Sequence, residues 1–206
     1  MRRHWLARQG GSELTLVFGG WALGPSPFSV LADGADVLVV DDFRDLSDDL
    51  PETADYDSVR MLAYSFGVAS AAHWLGGRSL RPTRCVAVNG TLFPADTERG
   101  IAPDIVAATA DGLTEASFAR FCRRSGLAGD APTLDIPAAQ AELRNIASRG
   151  PAPEVEFDRV WIASRDRIIP TAAQEAAWAH APHAIRRIDG PHVPFANGQS
   201  WEAWFA

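Results

Sequence analysis

An α/β fold, with a mostly parallel central sheet and helices on both faces, is the architecture this chain predicts. Three observations carry it. Short apolar runs alternate with helix-like stretches over most of the length. Runs such as Val37-Leu38-Val39-Val40 and Val86-Ala87-Val88 show no polar alternation, as strands buried on both faces should not. The 206 residues, 47% hydrophobic and 22% charged, suit one globular unit with a sizeable core.

Taken in order, strands are expected at 13–18, 36–40, 59–64, 84–88, 159–163 and 184–188, and helices at 65–76, 114–125, 136–148, 171–180 and 194–204. The first strand ends in Gly19-Gly20-Trp21. The third, an apolar run from Val59 to Tyr64, gives way to a helix-like stretch through Leu75. Helix 114–125 is delimited by its own residues: Thr114 is a good N-cap, Glu115 lies in the first turn, Leu113 and Phe118 have staple spacing, and Gly126 stands where the helix should end. Pro170 opens the helix at 171–180. The last strand cannot continue through Gly190-Pro191-His192-Val193-Pro194. The long interval Asn89–Asp158 holds at least two helical stretches and no clear strand.

The chemistry is concentrated at Ala63-Tyr64-Ser65-Phe66-Gly67. A serine between a strand and a helix, flanked by small residues two places away, is the setting of a nucleophile elbow. Alanine stands where the first glycine is usual. Two later residues complete a pattern. Asp166 follows strand 159–163 in a loop, and His192 follows strand 184–188 in another. The order Ser65, Asp166, His192 is that of α/β-hydrolases. Serine is a poor nucleophile at neutral pH; it needs an imidazole to accept its proton and a carboxylate to fix that imidazole's tautomer. Each residue also has an ordinary reading. Ser65 could be a small residue at a strand end, Asp166 a helix-initiating acid, and His192 one of five histidines. His73 lies within a helix, and His180 and His183 complement a helix C-terminus, which leaves His192 as the one in a loop after a late strand. An oxyanion hole in this fold uses two backbone N–H groups, which here would be those of Phe66 and Trp21. Gly19 and Gly20 would let the backbone approach the substrate oxygen.

Other functions are disfavoured. The net charge of −7 argues against general nucleic-acid binding. The glycines fit neither G-x-G-x-x-G nor a P-loop. Every basic side chain other than histidine is arginine, read here as compositional bias. Cys85 and Cys122 form neither a disulfide framework nor a metal-ligand pattern. No segment is long and apolar enough for a signal peptide or a membrane span, so a cytoplasmic setting is expected.

Within this fold the insertion at 92–150 is expected to be a small helical lid on a single domain spanning 1–206. Arg120, Arg123 and Arg124 share one face of its helix 114–125. They either favour the helix dipole or form a docking patch for an acidic partner, on the outer face and away from the reacting bond.

The chain resembles the pimeloyl-[acyl-carrier protein] methyl ester esterases of biotin synthesis, the short BioG-type branch. The resemblance runs through Phe18-Gly19-Gly20-Trp21, Leu62-Ala63-Tyr64-Ser65-Phe66-Gly67-Val68, Ala87-Val88-Asn89-Gly90-Thr91, Pro94, Gly100-Ile101, Phe121 with Arg123-Arg124, Ala163-Ser164-Arg165-Asp166, Ile188-Asp189-Gly190-Pro191-His192 and Ser200-Trp201. It implies Ser65 as nucleophile, His192 as base, Asp166 as orienting acid, and the Trp21 and Phe66 N–H groups as oxyanion hole. It implies hydrolysis of the terminal methyl ester of a seven-carbon diacyl chain on an acidic acyl-carrier protein, without metal or diffusible cofactor. Arg120, Arg123 and Arg124 become candidates for holding that carrier. Pro191, where a polar residue is expected, and Tyr64, where tryptophan is common, depart from the pattern. A general carboxylesterase or thioesterase with the same triad, or an inactive hydrolase fold used for binding, are the rival readings.

Overall fold

The computed structural model describes residues 1–31 and 34–206. Its centre is one seven-stranded sheet in the order β1-β3-β2-β4-β5-β6-β7. The strands are β1 (Arg2–Ala7), β2 (Glu13–Phe18), β3 (Asp36–Asp41), β4 (Ser58–Tyr64), β5 (Arg84–Val88), β6 (Arg159–Ala163) and β7 (Ile185–Ile188). All pairs are parallel except β1 with β3. The central strands bury almost every side chain, which is why their apolar runs are continuous.

Strand β1 is absent from the sequence-based expectation. Its Arg-Arg-His-Trp-Leu-Ala run lies on the sheet edge, half exposed, and shows neither a continuous apolar run nor clean alternation. Long-range pairing with the buried β3 makes it a strand: Arg2 donates to Asp41 Oδ1 at 3.0 Å, and His4 Nε2 lies 3.3 Å from the same oxygen.

The helices are α1 (Gly67–Leu75), α2 (Pro103–Asp111), α3 (Glu115–Ser125), α4 (Ile136–Arg149), α5 (Thr171–Ala177) and α6 (Trp201–Phe205). Helices α2, α3 and α4 make up the segment between β5 and β6. The caps of α3 are those expected. Thr114 Oγ1 accepts from Ser117 N at 3.1 Å, Ser117 Oγ accepts from Thr114 N at 2.8 Å, and Gly126 takes φ +83°. Helix α2, also unforeseen, is short; Pro103 starts it, and Val106 and Ala110, one turn apart, are its buried residues. Helix α6 replaces an expected 194–204. The backbone cannot be helical from residue 194, because Gly198 turns at φ +85°. The helix begins only where Ser200 Oγ accepts from Ala203 N at 3.2 Å. Arg60 on β4 ties α6 to the sheet, donating to Glu202 at 2.7 Å and to Thr15 at 2.9 Å while stacking on Phe205.

From β2 the chain moves to β3 on one side and then crosses to β4 on the other. The strand order therefore reverses between β2 and β4. In open α/β sheets, ligands bind outside the carboxyl ends of the strands at such a reversal. The loops after β2 and β4 meet there.

Candidate active site

Ser65 is the first residue after β4. Its φ is +56°, a left-handed conformation that side chains with a Cβ rarely adopt. The strain is held from both sides. Ser65 N donates to Val88 O at 2.9 Å, and Val68 N closes the turn by donating to Ser65 O at 3.0 Å. Glycines make the turn possible through their close approach to neighbouring segments. A Cβ on Gly67 would fall on the carbonyl oxygens of Gly19 and Phe18, at the end of the neighbouring β2. A Cβ on Gly90 would fall on Ser65 O and on Val68. Gly20 is likewise a packing requirement, since a Cβ there would stand 2.7 Å from the Tyr64 ring.

His192, on the loop after β7, is buried, and so is the Asp166 side chain on the loop after β6. The structure brings these two and Ser65 into one line. His192 Nδ1–H donates to Asp166 Oδ2 at 2.8 Å, and Ser65 Oγ–H donates to His192 Nε2 at 2.9 Å. An ionised carboxylate only accepts, so the imidazole must carry its proton on Nδ1, which leaves Nε2 free to take one from serine. Asp166 is held on its other oxygen by Ile168 N at 2.8 Å and Ile169 N at 3.0 Å.

Two residues not singled out for the site from sequence, Asn89 and Gln174, support it, and a third, Glu142, is buried where α4 meets the loop after β3. Asn89, just past β5 with φ +46° and fully buried, accepts from Ala163 N at 2.7 Å and donates to His192 O at 2.8 Å, fastening the histidine loop to β5 and β6. Gln174 on α5 donates to Asp166 Oδ2 at 2.9 Å. Glu142 on α4 accepts from Phe43 N at 3.0 Å; burial pushes its carboxyl up to about 7, with Asp42 and Asp41 adding to the rise and the Phe43 bond opposing it. An unusual Asn conformation after a strand was the one signal that sequence could have offered. Gln174 stands only 8 residues from Asp166, but their contact depends on how the loop 166–169 folds back onto α5, and Glu142 is 99 residues from Phe43.

Trp21 and Phe66 line the same cavity as Ser65. The Trp21 indole N–H donates to Ala139 O on α4 at 2.9 Å, and its ring meets Phe118 and Phe121 edge-on. The walls are otherwise mostly apolar, from Ile101, Ile105, Val106, Leu143 and Ile168, with Thr109 a polar member and Arg124 the single charged group. An outer groove shares Trp21, Ile105, Phe121 and Arg124 and adds Arg120. The three arginines are thus not equivalent. All are exposed, but Arg124 borders the serine's own cavity, Arg120 borders its mouth, and Arg123 borders neither. The expectation that all three face away from the reacting centre is corrected for Arg124. The cause is the i, i+4 relation of Arg120 and Arg124 with Phe121 beside them, which turns that edge of α3 toward the opening.

The end of α3 rests on the histidine loop. Val193 N donates to Ser125 O at 2.8 Å, and Gly126 leaves no room for a Cβ against the Pro191 ring. Pro191 therefore has a packing role. Burial pushes the thiols of Cys85 and Cys122 up to about 12 and about 11, which leaves them without nucleophilic character. Among the described residues no cluster of three or more His, Cys, Asp or Glu stands ready to hold a metal ion, and no helix is long and apolar enough to cross a membrane.

Comparison with known proteins places the chain in a family and a fold. The family described as Pimeloyl-ACP methyl esterase BioG matches residues 1–140. A Bacteroides fragilis protein named malonyl-[acyl-carrier protein] O-methyltransferase is 32% identical over 192 residues, covering 87% of this chain. The chain spans only 39% of that protein's length. The crystal structure of BioG from Haemophilus influenzae superimposes with a TM-score of 0.88 at 28% identity, over 100% of both chains. An esterase from Exiguobacterium antarcticum has a TM-score of 0.66 at 11% identity, over 92% of this chain and 87% of that one, a likeness of fold alone. The architecture is that of an α/β-hydrolase.

Proposed function

The chain belongs to the pimeloyl-ACP methyl esterase BioG family, a family of ester hydrolases, and from that premise we propose that it is a serine esterase acting on the methyl ester of a pimeloyl chain carried by acyl-carrier protein in biotin synthesis. The observation that carries this reading is the hydrogen-bonded line Ser65–His192–Asp166 beside an apolar cavity. Ser65 Oγ attacks the ester carbonyl while His192 Nε2 takes its proton. The oxyanion is held by the backbone N–H groups of Trp21 and Phe66. His192 returns the proton to the departing methoxide, methanol leaves, and water activated by His192 hydrolyses the acyl-enzyme. Asp166 keeps the imidazole in the accepting tautomer throughout.

The substrate assignment has three supports. The cavity suits a methylene chain, since its walls gain by covering apolar carbon and bring one charge at the rim. The B. fragilis relative is named for placing a methyl ester on a carrier-bound acid, and a hydrolase of that ester would undo the modification. The exposed Arg120 and Arg124 beside the mouth offer positive charge to an acidic carrier. In this reading helices α2, α3 and α4 form the lid, and Arg120, Arg123 and Arg124 are its docking residues, with Arg123 the least engaged.

The test is incubation with methyl-pimeloyl acyl-carrier protein, followed by measuring methanol and the intact mass of the carrier. One methanol released per carrier, with the acyl group still attached, is expected, and Ser65→Ala should lower the rate by roughly 10⁴-fold or more. Release of free carrier instead would make the enzyme a thioesterase. Preference for short soluble esters over the carrier substrate would make it a general carboxylesterase.

A further inference from the structure

Asp166 has more hydrogen-bond donors around it than the serine mechanism requires. A carboxylate offers about four acceptor positions, and here four donors address it: Ile168 N and Ile169 N on Oδ1, His192 Nδ1 and Gln174 Nε2 on Oδ2. Two of the three donors other than histidine are backbone groups, which only proline would remove. Gln174 is the third, a side chain from α5 aimed at the oxygen that faces the imidazole. It is fully buried, and its second amide hydrogen goes to Ile169 O at 3.0 Å. Both facing atoms are acceptors, so the NH₂ end must point at them. The opposite end, Oε1, is buried with no hydrogen-bond partner among the described residues. An unpaired buried carbonyl is costly, and an apolar residue of the same shape would avoid that cost.

We propose that Gln174 is a positioning residue that locks Asp166 Oδ2 in place against His192 and moderates that carboxylate's hold on the imidazole. The inference rests on the reading of Ser65, His192 and Asp166 as the reacting triad. One amide group bridges the carboxylate to the loop carbonyl of Ile169, whose own N–H holds the other carboxylate oxygen. The acid and the loop 166–169 are thereby fixed as one body. Ile168 of that loop also lines the cavity. Without the Gln174 bond, Asp166 would be freer to turn. Its Oδ2 would also keep more of its basicity and grip the protonated imidazole harder. The first effect lowers kcat; the second makes His192 give up its proton only at higher pH. Tyr64, whose ring lies 5.1 Å from that of His192, is the other titratable group at the pair, and burial holds its hydroxyl well above its usual range, so it stays neutral through this window.

The experiment compares wild type, Gln174→Met and Gln174→Glu on a small soluble ester across pH, with a melting curve for each. Gln174→Met keeps volume and loses both donors. It should show kcat reduced roughly tenfold, KM nearly unchanged, and the acid limb of kcat/KM moved to higher pH by roughly 0.5 unit or more. Gln174→Glu keeps shape and atom count. It can donate only when protonated, so its rate should fall with rising pH where wild type is level. It also carries the test should Gln174→Met fail to fold. A profile like wild type in the variants, or a loss of kcat with no movement of either limb, would overturn the positioning role. Failure of wild type itself to hydrolyse any ester in a Ser65-dependent manner would instead remove the triad reading and this inference with it.

Discussion

The two sides of the cavity are built on different physical terms. The strand-end side, from β2, β4, β5, β6 and β7, carries Ser65, Asp166 and His192 and is fastened almost wholly by hydrogen bonds and glycine-only contacts. Asn89 spans three strands, and the acid is saturated with donors. The helical side, α2 to α4, packs apolar side chains at the cavity and is tied more sparsely by polar contacts, among them Trp21 to Ala139, Phe43 to Glu142, Val193 to Ser125 and Gln140 to Ala110. Hydrogen bonds set direction to a few tenths of an ångström, which proton transfer needs. Apolar packing tolerates exchange of side chains of similar volume, which suits the proposed task of that wall, to admit a particular chain and partner. Two of the buried carboxylates repeat the contrast. Asp166 meets four donors, whereas Glu142 meets one and sits near two other acids.

The largest effect should come from striking the strand-end side at its acid. Asp166→Asn can present its NH₂ to the imidazole and select the wrong tautomer, and it cannot stabilise the imidazolium. Activity should fall by roughly 10³–10⁴-fold with little change in melting temperature. A nearly silent variant would require another acid, such as Asp189, which pairs with Ser164 and Arg165 at the surface. Next comes Gly67→Ala, which drives a methyl group into the β2 carbonyls. Unfolding free energy should drop by about 3 kcal/mol or more, read by chemical denaturation, and residual activity should fall with it. A well-folded, active variant would show that the elbow tolerates more than the geometry permits.

On the helical side the sharper probe is pH. The Glu142 carboxyl rises from an ordinary value of 4.5 to about 7 on folding, so between those values the folded protein binds more protons than the unfolded one. Its contribution to stability is therefore greatest below about pH 4.5, declines as pH rises toward 7, and is flat above. A glutamine side chain at this position would be neutral at every pH while keeping an oxygen for Phe43 N. The Glu142→Gln variant should thus melt above wild type at pH 8, by at most about 3 kcal/mol of stability, and converge with it near pH 4.5. A constant difference across pH would mean the carboxyl is not raised. The smallest effect should lie at the rim. Replacing both Arg120 and Arg124 by glutamate should raise KM for the carrier-bound substrate roughly tenfold, while Arg123→Glu has a lesser effect; a small soluble ester should be unaffected by Arg120→Glu alone and should lose less than the carrier substrate in the double variant, where Arg124 borders the serine's cavity. Added salt should weaken the wild type toward the double variant, since exposed charges are screened over about 10 Å at 0.1 M. Equal losses on both substrates would reduce the arginines to helix-dipole partners.

Much of the fold was legible because buried parallel strands advertise themselves as continuous apolar runs, and the elbow residues sit at the junctions of those runs. The edge strand β1 was not, since half its residues face water and its partner lies far along the chain. Helix α2 was too short to show a clear period. The start of α6 was placed too early because apolar residues follow Pro194, and the turn at Gly198 outweighs them. The order and context of Ser65, Asp166 and His192 were readable. Their supporters Asn89 and Gln174, and the buried Glu142, were not, since a polar residue just past a strand or within a helix is common and only its partners distinguish it.

What the sequence determines by itself is therefore local: which segments are buried strands, which turn must be sharp, where α3 starts and stops, and in what order the three polar side chains occur. These follow from periodicity, capping and steric rules that act over a few residues. Tertiary structure decides what depends on distant parts meeting. It makes Gly67 obligatory through the carbonyls of β2, turns Arg124 toward the serine's cavity and leaves Arg123 outside it, and sets Gln174 on the carboxylate oxygen that faces His192. Hydrogen bonds and steric contacts fall off within a few ångströms, so their partners are fixed only once the chain has brought them that close.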